Sequence, residues 1–141
     1  MINRCFKALL FSLTISLVSP LSLADEALSR TLNPTVSVTG NMTTDKFSQL
    51  MQQGFKSVIV NRPDQESGNK VSVHELREIA EANRVGVIYQ PVTSGKITQT
   101  DVQEFASYYN DLPKPILMVC KSGNRSASLY QQAKDQGLLD E

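Results

Sequence analysis

The run Ile116-Leu117-Met118-Val119-Cys120-Lys121-Ser122-Gly123-Asn124-Arg125-Ser126 carries the fold and the chemistry together. Its first four residues are uniformly apolar, which predicts a strand buried on both faces, and Pro113 and Pro115 bound it on the amino side. A short polar loop follows Cys120, and a final helix is predicted from about Ser126 to Gln136, ending at Gly137. A single thiol therefore stands at the carboxyl end of a strand, immediately before a helix.

Working outward, the same alternation repeats. Thr35–Thr39 alternates β-branched and small residues, predicting a first strand that stops at Gly40. Thr43 or Thr44 caps a helix to about Gln53 that places Phe47, Leu50 and Met51 on one face, with Gly54 as the stop. Phe55–Asn61 predicts a strand whose continuous Val58-Ile59-Val60 implies burial on both faces, and Arg62-Pro63-Asp64 ends it. After the polar stretch Gln65–Lys70, Ser72 and Glu75 form a capping box for a helix to about Arg84 that buries Val73, Leu76, Ile79 and Ala80. Val85–Gln90 is the next strand. Thr98 or Thr100 then caps a helix through Val102, Phe105, Ala106 and Tyr109. The expectation is an α/β fold: a mostly parallel central sheet of about four strands flanked by helices. Sheets of this kind bind ligands beyond the carboxyl ends of their strands, where Cys120 lies.

The loop Cys120–Ser126 combines three features. Backbone N–H groups leading into a helix N-terminus, together with the helix dipole, hold anions and lower a cysteine pKa. Arg125 supplies a planar fork suited to a tetrahedral oxyanion. Gly123 permits a backbone conformation that other residues resist, and Lys121 adds positive potential. Cys120 and Arg125 are thus the candidate catalytic pair, with Lys121, Ser122, Gly123, Asn124 and Ser126 as anion-binding residues. Attack by the sulfur would form a covalent intermediate that a second nucleophile resolves.

The chain has 141 residues with 14 basic and 14 acidic side chains, 20% charged and 40% hydrophobic, which predicts a globular chain without a basic nucleic-acid face. Its beginning reads as a secretory leader: Arg4 and Lys7, the uncharged run Ala8–Val18, Pro20, and then Ser22-Leu23-Ala24 at a cleavage site. The apolar run falls short of the ~20 residues that span a bilayer. Cleavage after Ala24 removes 24 of 141 residues and leaves 117, with 12 basic and 14 acidic groups. The expected product is a periplasmic or secreted domain, residues 25–141, with no membrane span. It also loses Cys5, leaving Cys120 as its one cysteine.

Cys-x-x-Gly-x-Arg-Ser after an apolar strand resembles the active-site loops of cysteine-dependent phosphatases and of rhodaneses. Together with Gly54–Asp64 (GFKSVIVNRPD), Gln90-Pro91-Val92 and the helix start at Ile97–Asp101, it resembles the phosphatase-like domain of the beta-lactamase hydrolase-like proteins, from about Thr35 to Gly137. That resemblance implies a compact protein tyrosine phosphatase fold and phosphohydrolase activity.

Several residues depart from the phosphatase pattern. Four residues, Lys121 to Asn124, separate the cysteine from the arginine, where tyrosine phosphatases have five and rhodaneses resemble this shorter spacing. Val119 stands where many tyrosine phosphatases carry histidine. The loop expected to supply a general acid, Val92–Lys96, has no carboxylate. Asp64 and Asp101 are the candidate substitutes, although Asp101 also suits the first turn of its helix. Arg62 stands at a strand's carboxyl end and is either a pocket residue or an arginine held by an acidic neighbour. Ser126 either supports the thiolate, as the resemblance implies, or N-caps the last helix. His74, the sole histidine, is expected to be solvated, and Tyr108 and Tyr109 to pack on their helix. One histidine and one distant cysteine make no zinc site, and no cofactor is implied.

Three functional readings follow. The first is an exported cysteine-dependent phosphohydrolase acting on a small phosphoester. The second is a rhodanese-like sulfurtransferase that carries a persulfide between a sulfur donor and a thiol acceptor. The third is a non-catalytic oxyanion-binding or thiol-sensing module.

Overall fold

The computed structural model describes residues 27–141; the expected leader, its cleavage site and Cys5 lie outside the described residues. The chain runs β1 (Arg30–Asn33), β2 (Val36–Thr39), α1 (Thr44–Met51), β3 (Ser57–Val60), α2 (Val73–Ala82), β4 (Gly86–Tyr89), α3 (Gln99–Asp111), β5 (Ile116–Val119) and α4 (Asn124–Asp135). The five strands form one sheet in the order β1-β2-β5-β3-β4. β2, β5, β3 and β4 are parallel, and β1 adds an antiparallel edge.

The mixed α/β architecture with a mostly parallel sheet is the expected one, with one strand more. β1 escapes a hydrophobicity reading because Arg-Thr-Leu-Asn has no apolar alternation and sits exposed at the edge. It exists through its pairing with β2, Arg30 opposite Val38 and Thr31 opposite Ser37.

Period-two alternation in the parallel strands divides the core. Leu117 and Val119 of β5 face a cluster with Val58, Val60, Phe47, Leu50, Leu76 and Ala80, so α1 and α2 cover that side. Ile116 and Met118 face Ile59, Val36, Val38, Phe105, Tyr109, Leu129 and Tyr130, so α3 and α4 cover the other. Both faces of β5 are therefore sealed, which explains its unbroken apolar sequence. The rings of Phe105, Tyr109 and Tyr130 lie 6.0–6.5 Å apart in tilted and edge arrangements, placing Tyr109 in the core as its helical spacing predicts.

The caps follow the sequence closely. The Thr43 side chain accepts from the Lys46 amide, and Ser72 with Glu75 and Thr98 with Asp101 both form complete capping boxes. One boundary differs in a way that matters for the site. Helix α4 begins at Asn124, with Gly123 at its N-cap in a left-handed conformation, φ 91°. Arg125 and Ser126 are thus inside its first turn, and Ser126 does not N-cap it. Among the described residues no helix is long and apolar enough to cross a membrane.

Candidate active site

β5 lies between β2 and β3, so it delivers Cys120 to the middle of the sheet's carboxyl edge. The loop that follows is tied to the end of β2. The Cys120 amide donates to the Thr39 carbonyl at 3.1 Å, and the Asn41 amide donates to the Lys121 carbonyl at 2.9 Å. Gly40 makes this approach possible, because a Cβ there would lie 2.4 Å from the Lys121 carbonyl oxygen and 2.5 Å from Ser122 Cα. The sequence marks Gly40 only as a strand end; its close packing against the loop depends on a tertiary contact that no local pattern signals.

Gly123 turns the chain back over the sulfur, and its amide donates to Cys120 Sγ at 3.0 Å. Burial pushes the Cys120 thiol up, since the residue is only 1% exposed. Hydrogen bonds from Ser126, through its amide and hydroxyl, and from the amides of Ser122 and Gly123 outweigh that burial and bring the thiol below its ordinary value. The Ser126 hydroxyl has a single proton, and it sits 2.8 Å from Asn61 Oδ1. The Asn61 amide nitrogen is itself committed to the Gln90 carbonyl at 3.1 Å, so its oxygen is the side that faces Ser126. The three backbone amides therefore stabilise the thiolate whichever acceptor the hydroxyl serves.

Arg125 is 8% exposed and held by three elements. One terminal nitrogen donates to the Val92 carbonyl at 2.8 Å and reaches the Asn61 carbonyl at 3.4 Å. The other donates to Glu66 Oε1 at 2.7 Å. Its Nε is buried and has no partner. A buried guanidinium donor left unsatisfied is costly, and Arg125 lines the same cavity as Cys120.

Glu66 is the residue the sequence reading missed. Its second oxygen accepts from Arg62 Nε at 2.6 Å, while Arg62 also donates to the Ser67 carbonyl at 2.9 Å. One carboxylate thus joins two buried arginines. Arg62 is buried and held by an acidic neighbour, and with Cys120 it also lines a small cavity of about 10 Å³ behind the loop. The Arg62–Glu66 spacing of four was the available signal, but it falls in a turn-rich loop where helical pairing rules do not apply.

Cys120 and Arg125 line a cavity of about 540 Å³ with Lys121, Ser122 and Asn124. Ser94, Gly95 and Ile97 form one wall, and Ser128 and Gln132 extend the groove along α4. Lys121, Ser122 and Asn124 are exposed at the mouth, whereas Gly123 and Ser126 are buried beneath it. Asn124 Oδ1 accepts from Arg30 of β1 at 3.3 Å.

The two candidate acids are placed elsewhere, as parts of helix caps. Asp64 Oδ1 accepts from the Val73 amide at 2.9 Å, stabilising the start of α2. Asp101 Oδ2 accepts from the Thr98 amide at 2.9 Å inside the α3 capping box. Neither lines the cavity. Both carboxylates accept from amides at helix starts that have no partner within the helix. The His74 side chain is 81% exposed beside Glu78. Among the described residues no group of three or more His, Cys, Asp or Glu is placed to hold a metal ion.

Comparison with known proteins fits this geometry. The family model of the beta-lactamase hydrolase-like protein, phosphatase-like domain, matches residues 28–136. The chain belongs to this family. A beta-lactamase hydrolase-like protein of Xylella fastidiosa is 34% identical over 101 residues, covering 70% of this chain and 23% of that protein. One from Agrobacterium fabrum is 29% identical over 99 residues, with the same 70% and 23% coverage. The chain thus spans about a quarter of the length of the curated relatives it matches. Among solved structures, a Neisseria meningitidis protein provisionally described as a phosphatase superposes with a TM-score of 0.67 at 28% identity, covering 73% of each chain. The core catalytic domain of a PP-IP phosphatase from S. cerevisiae shares the fold, with a TM-score of 0.61 at 15% identity over 77% of this chain and 66% of that one. This phosphatase-like domain accordingly has the fold of protein tyrosine phosphatase-like enzymes.

Proposed function

We propose that this phosphatase-like domain is a cysteine-dependent phosphohydrolase. The observation that carries the reading is the pairing of a sulfur faced by the amides of Ser122, Gly123 and Ser126 with the buried, unpartnered Nε of Arg125. The amides favour the thiolate and the guanidinium favours an oxyanion above it, so nucleophile and electrophile are drawn to one place. The Cys120 thiolate attacks phosphorus, forming an S–P bond as the P–O bond to the leaving group breaks and that oxygen takes the electron pair. Water then attacks the phosphocysteine, the thiolate departs, and both protons of the water leave with the phosphate or pass to solvent. Amides and Arg125 hold charge that grows on the equatorial oxygens in both steps. The substrate partner in this reading is a small phosphoester.

The four-residue spacing between Cys120 and Arg125 favours a second reading, sulfur transfer through a Cys120 persulfide. Assays of p-nitrophenyl phosphate and thiosulfate side by side, with Cys120→Ser as control, separate the two. Release of p-nitrophenolate that disappears in the variant supports phosphohydrolysis. Sulfur loading of Cys120 by thiosulfate with no phosphate turnover refutes it. Export follows from the leader reading and is tested by cell fractionation with mass measurement: a chain starting at Asp25 outside the cytoplasm supports it, and an intact Met1 start confined to the cytoplasm contradicts it.

A further inference from the structure

We propose that the preferred substrates of this site are phosphoanhydrides, so that the terminal phosphoryl group of an organic diphosphate is transferred to Cys120 and a phosphate leaves. The inference rests on the phosphohydrolase reading and narrows its substrate class.

The carboxylates around the groove are all committed elsewhere. Both oxygens of Glu66 accept from buried guanidinium groups. Asp64 and Asp101 accept from the first amides of α2 and α3. Val92–Lys96 contains no acid. Of the described residues that line the cavity, the only charged ones besides Cys120 are Lys121 and Arg125, both cationic. Among the described residues no carboxylic acid lines the cavity to give a proton to a departing oxygen.

That arrangement selects leaving groups. An alkyl ester expels an alkoxide about as basic as hydroxide, whose conjugate acid has a pKa of about 15.7. Without an acid such a departure forfeits a factor of roughly 10²–10⁴. A departing phosphate, with a second pKa near about 6, needs no proton. An aryloxide also departs readily, but among the described residues no aromatic ring lines this groove to receive an aryl group. The rim offers cations instead. Lys121 is exposed at the mouth. Ser122 also borders an adjoining cavity of about 610 Å³ that contains Arg30 and Lys46. Arg30 is oriented toward the active-site loop by its bond to Asn124 Oδ1 at 3.3 Å. Lys121 thus lines the groove itself and Arg30 stands at its rim on Asn124, so a leaving phosphate would depart toward two cations.

The step balances. The S–P bond forms as the bridging P–O bond breaks, and the bridging oxygen keeps the electron pair on the departing phosphate. Water then releases inorganic phosphate from Cys120 and restores the thiolate, with no oxidant or reductant involved.

The test measures kcat/KM for p-nitrophenyl phosphate, an alkyl monophosphate, and the diphosphate of the same alcohol. The expected result is turnover of the diphosphate at least 100-fold more efficient than the alkyl monophosphate, with one inorganic phosphate released per molecule and the alkyl monophosphate left over. Arg30→Ala lowers kcat/KM for the diphosphate about tenfold more than for the aryl phosphate, and Arg30→Lys recovers part of it. Equal turnover of the alkyl monophosphate and diphosphate overturns the inference while leaving phosphohydrolysis in place. Hydrolysis of p-nitrophenyl phosphate with no attack on the diphosphate does the same. Failure on every phosphate removes the phosphohydrolase reading itself, and the inference with it.

Discussion

Replacing Glu66 by alanine breaks the one carboxylate that joins Arg62 to Arg125. The side chains of the two arginines are 8% and 5% exposed, and Glu66 is 20% exposed. Each arm is a charge-assisted hydrogen bond, worth about 1.5–3 kcal/mol net. Removing one partner of a buried pair costs about 3–5 kcal/mol because the remaining charge is left uncompensated. Glu66 is one-fifth open to water, which will solvate the freed guanidinium groups in part, so the lower end, about 3 kcal/mol, is expected. With a urea dependence of roughly 1.5–3 kcal/mol/M for a domain of this size, the unfolding midpoint falls by about 1–2 M. Arg125 keeps its bonds to the Val92 and Asn61 carbonyls, so phosphate affinity weakens without vanishing. Urea unfolding followed by circular dichroism, with phosphate binding measured by calorimetry, gives both numbers. A Glu66→Ala protein within about 0.5 kcal/mol of wild type, with unchanged phosphate affinity, refutes the reasoning; surface substitutions behave that way.

The remaining predictions concern the thiol, the loop and the caps. Because the Cys120 thiol is lowered, its alkylation rate should titrate with a midpoint below that of the same thiol in the urea-unfolded chain; a midpoint at or above the unfolded one contradicts the amide geometry. The depressed thiol adds stability that is complete above the unfolded value of about 8.5 and is lost as pH falls through the folded one, so the deficit of Cys120→Ser should grow as pH rises toward 8.5. Gly40→Ala drives a Cβ to 2.4 Å from the Lys121 carbonyl, so about 1–3 kcal/mol of stability and most of the hydrolytic activity should be lost; an active, equally stable variant shows that the loop does not depend on this contact. Asp101→Asn should leave kcat and its pH profile unchanged while costing about 0.5–2 kcal/mol in thermal unfolding, and a collapsed kcat would make Asp101 an acid after all.

How much of this was legible in the sequence depends on how local each determinant is. Strand β5 was read to the residue, because Ile116–Val119 is apolar throughout and fenced by prolines. The cap at Ser72 is equally legible, since its capping box with Glu75 is written within four residues, whereas α1 and α3 each offer two threonines in sequence and use the first, Thr43 and Thr98. Helix α4 starts two residues before the position its sequence predicts, because Gly123 enters the helix through a left-handed turn and not through a side-chain cap. β1 was invisible, since its stability comes from pairing and not from its own pattern. At the site, the loop from Cys120 to Ser126 announces its chemistry by composition. The residues that hold it, Glu66, Asn61 and Gly40, sit 54 to 80 positions earlier in the chain, and only the sheet order brings them to it. Asp64 and Asp101 show the converse: near the right strand ends, they are claimed by helix amides before they can serve a substrate.

The account turns on Cys120 as the nucleophile. Rapid denaturing quench during turnover of p-nitrophenyl phosphate, followed by peptide mass spectrometry, tests it most directly. A phosphoryl group carried on Cys120 during turnover, absent from Cys120→Ser together with all hydrolysis, is the predicted result. Steady hydrolysis with unmodified Cys120, or hydrolysis that survives in Cys120→Ser, would contradict it.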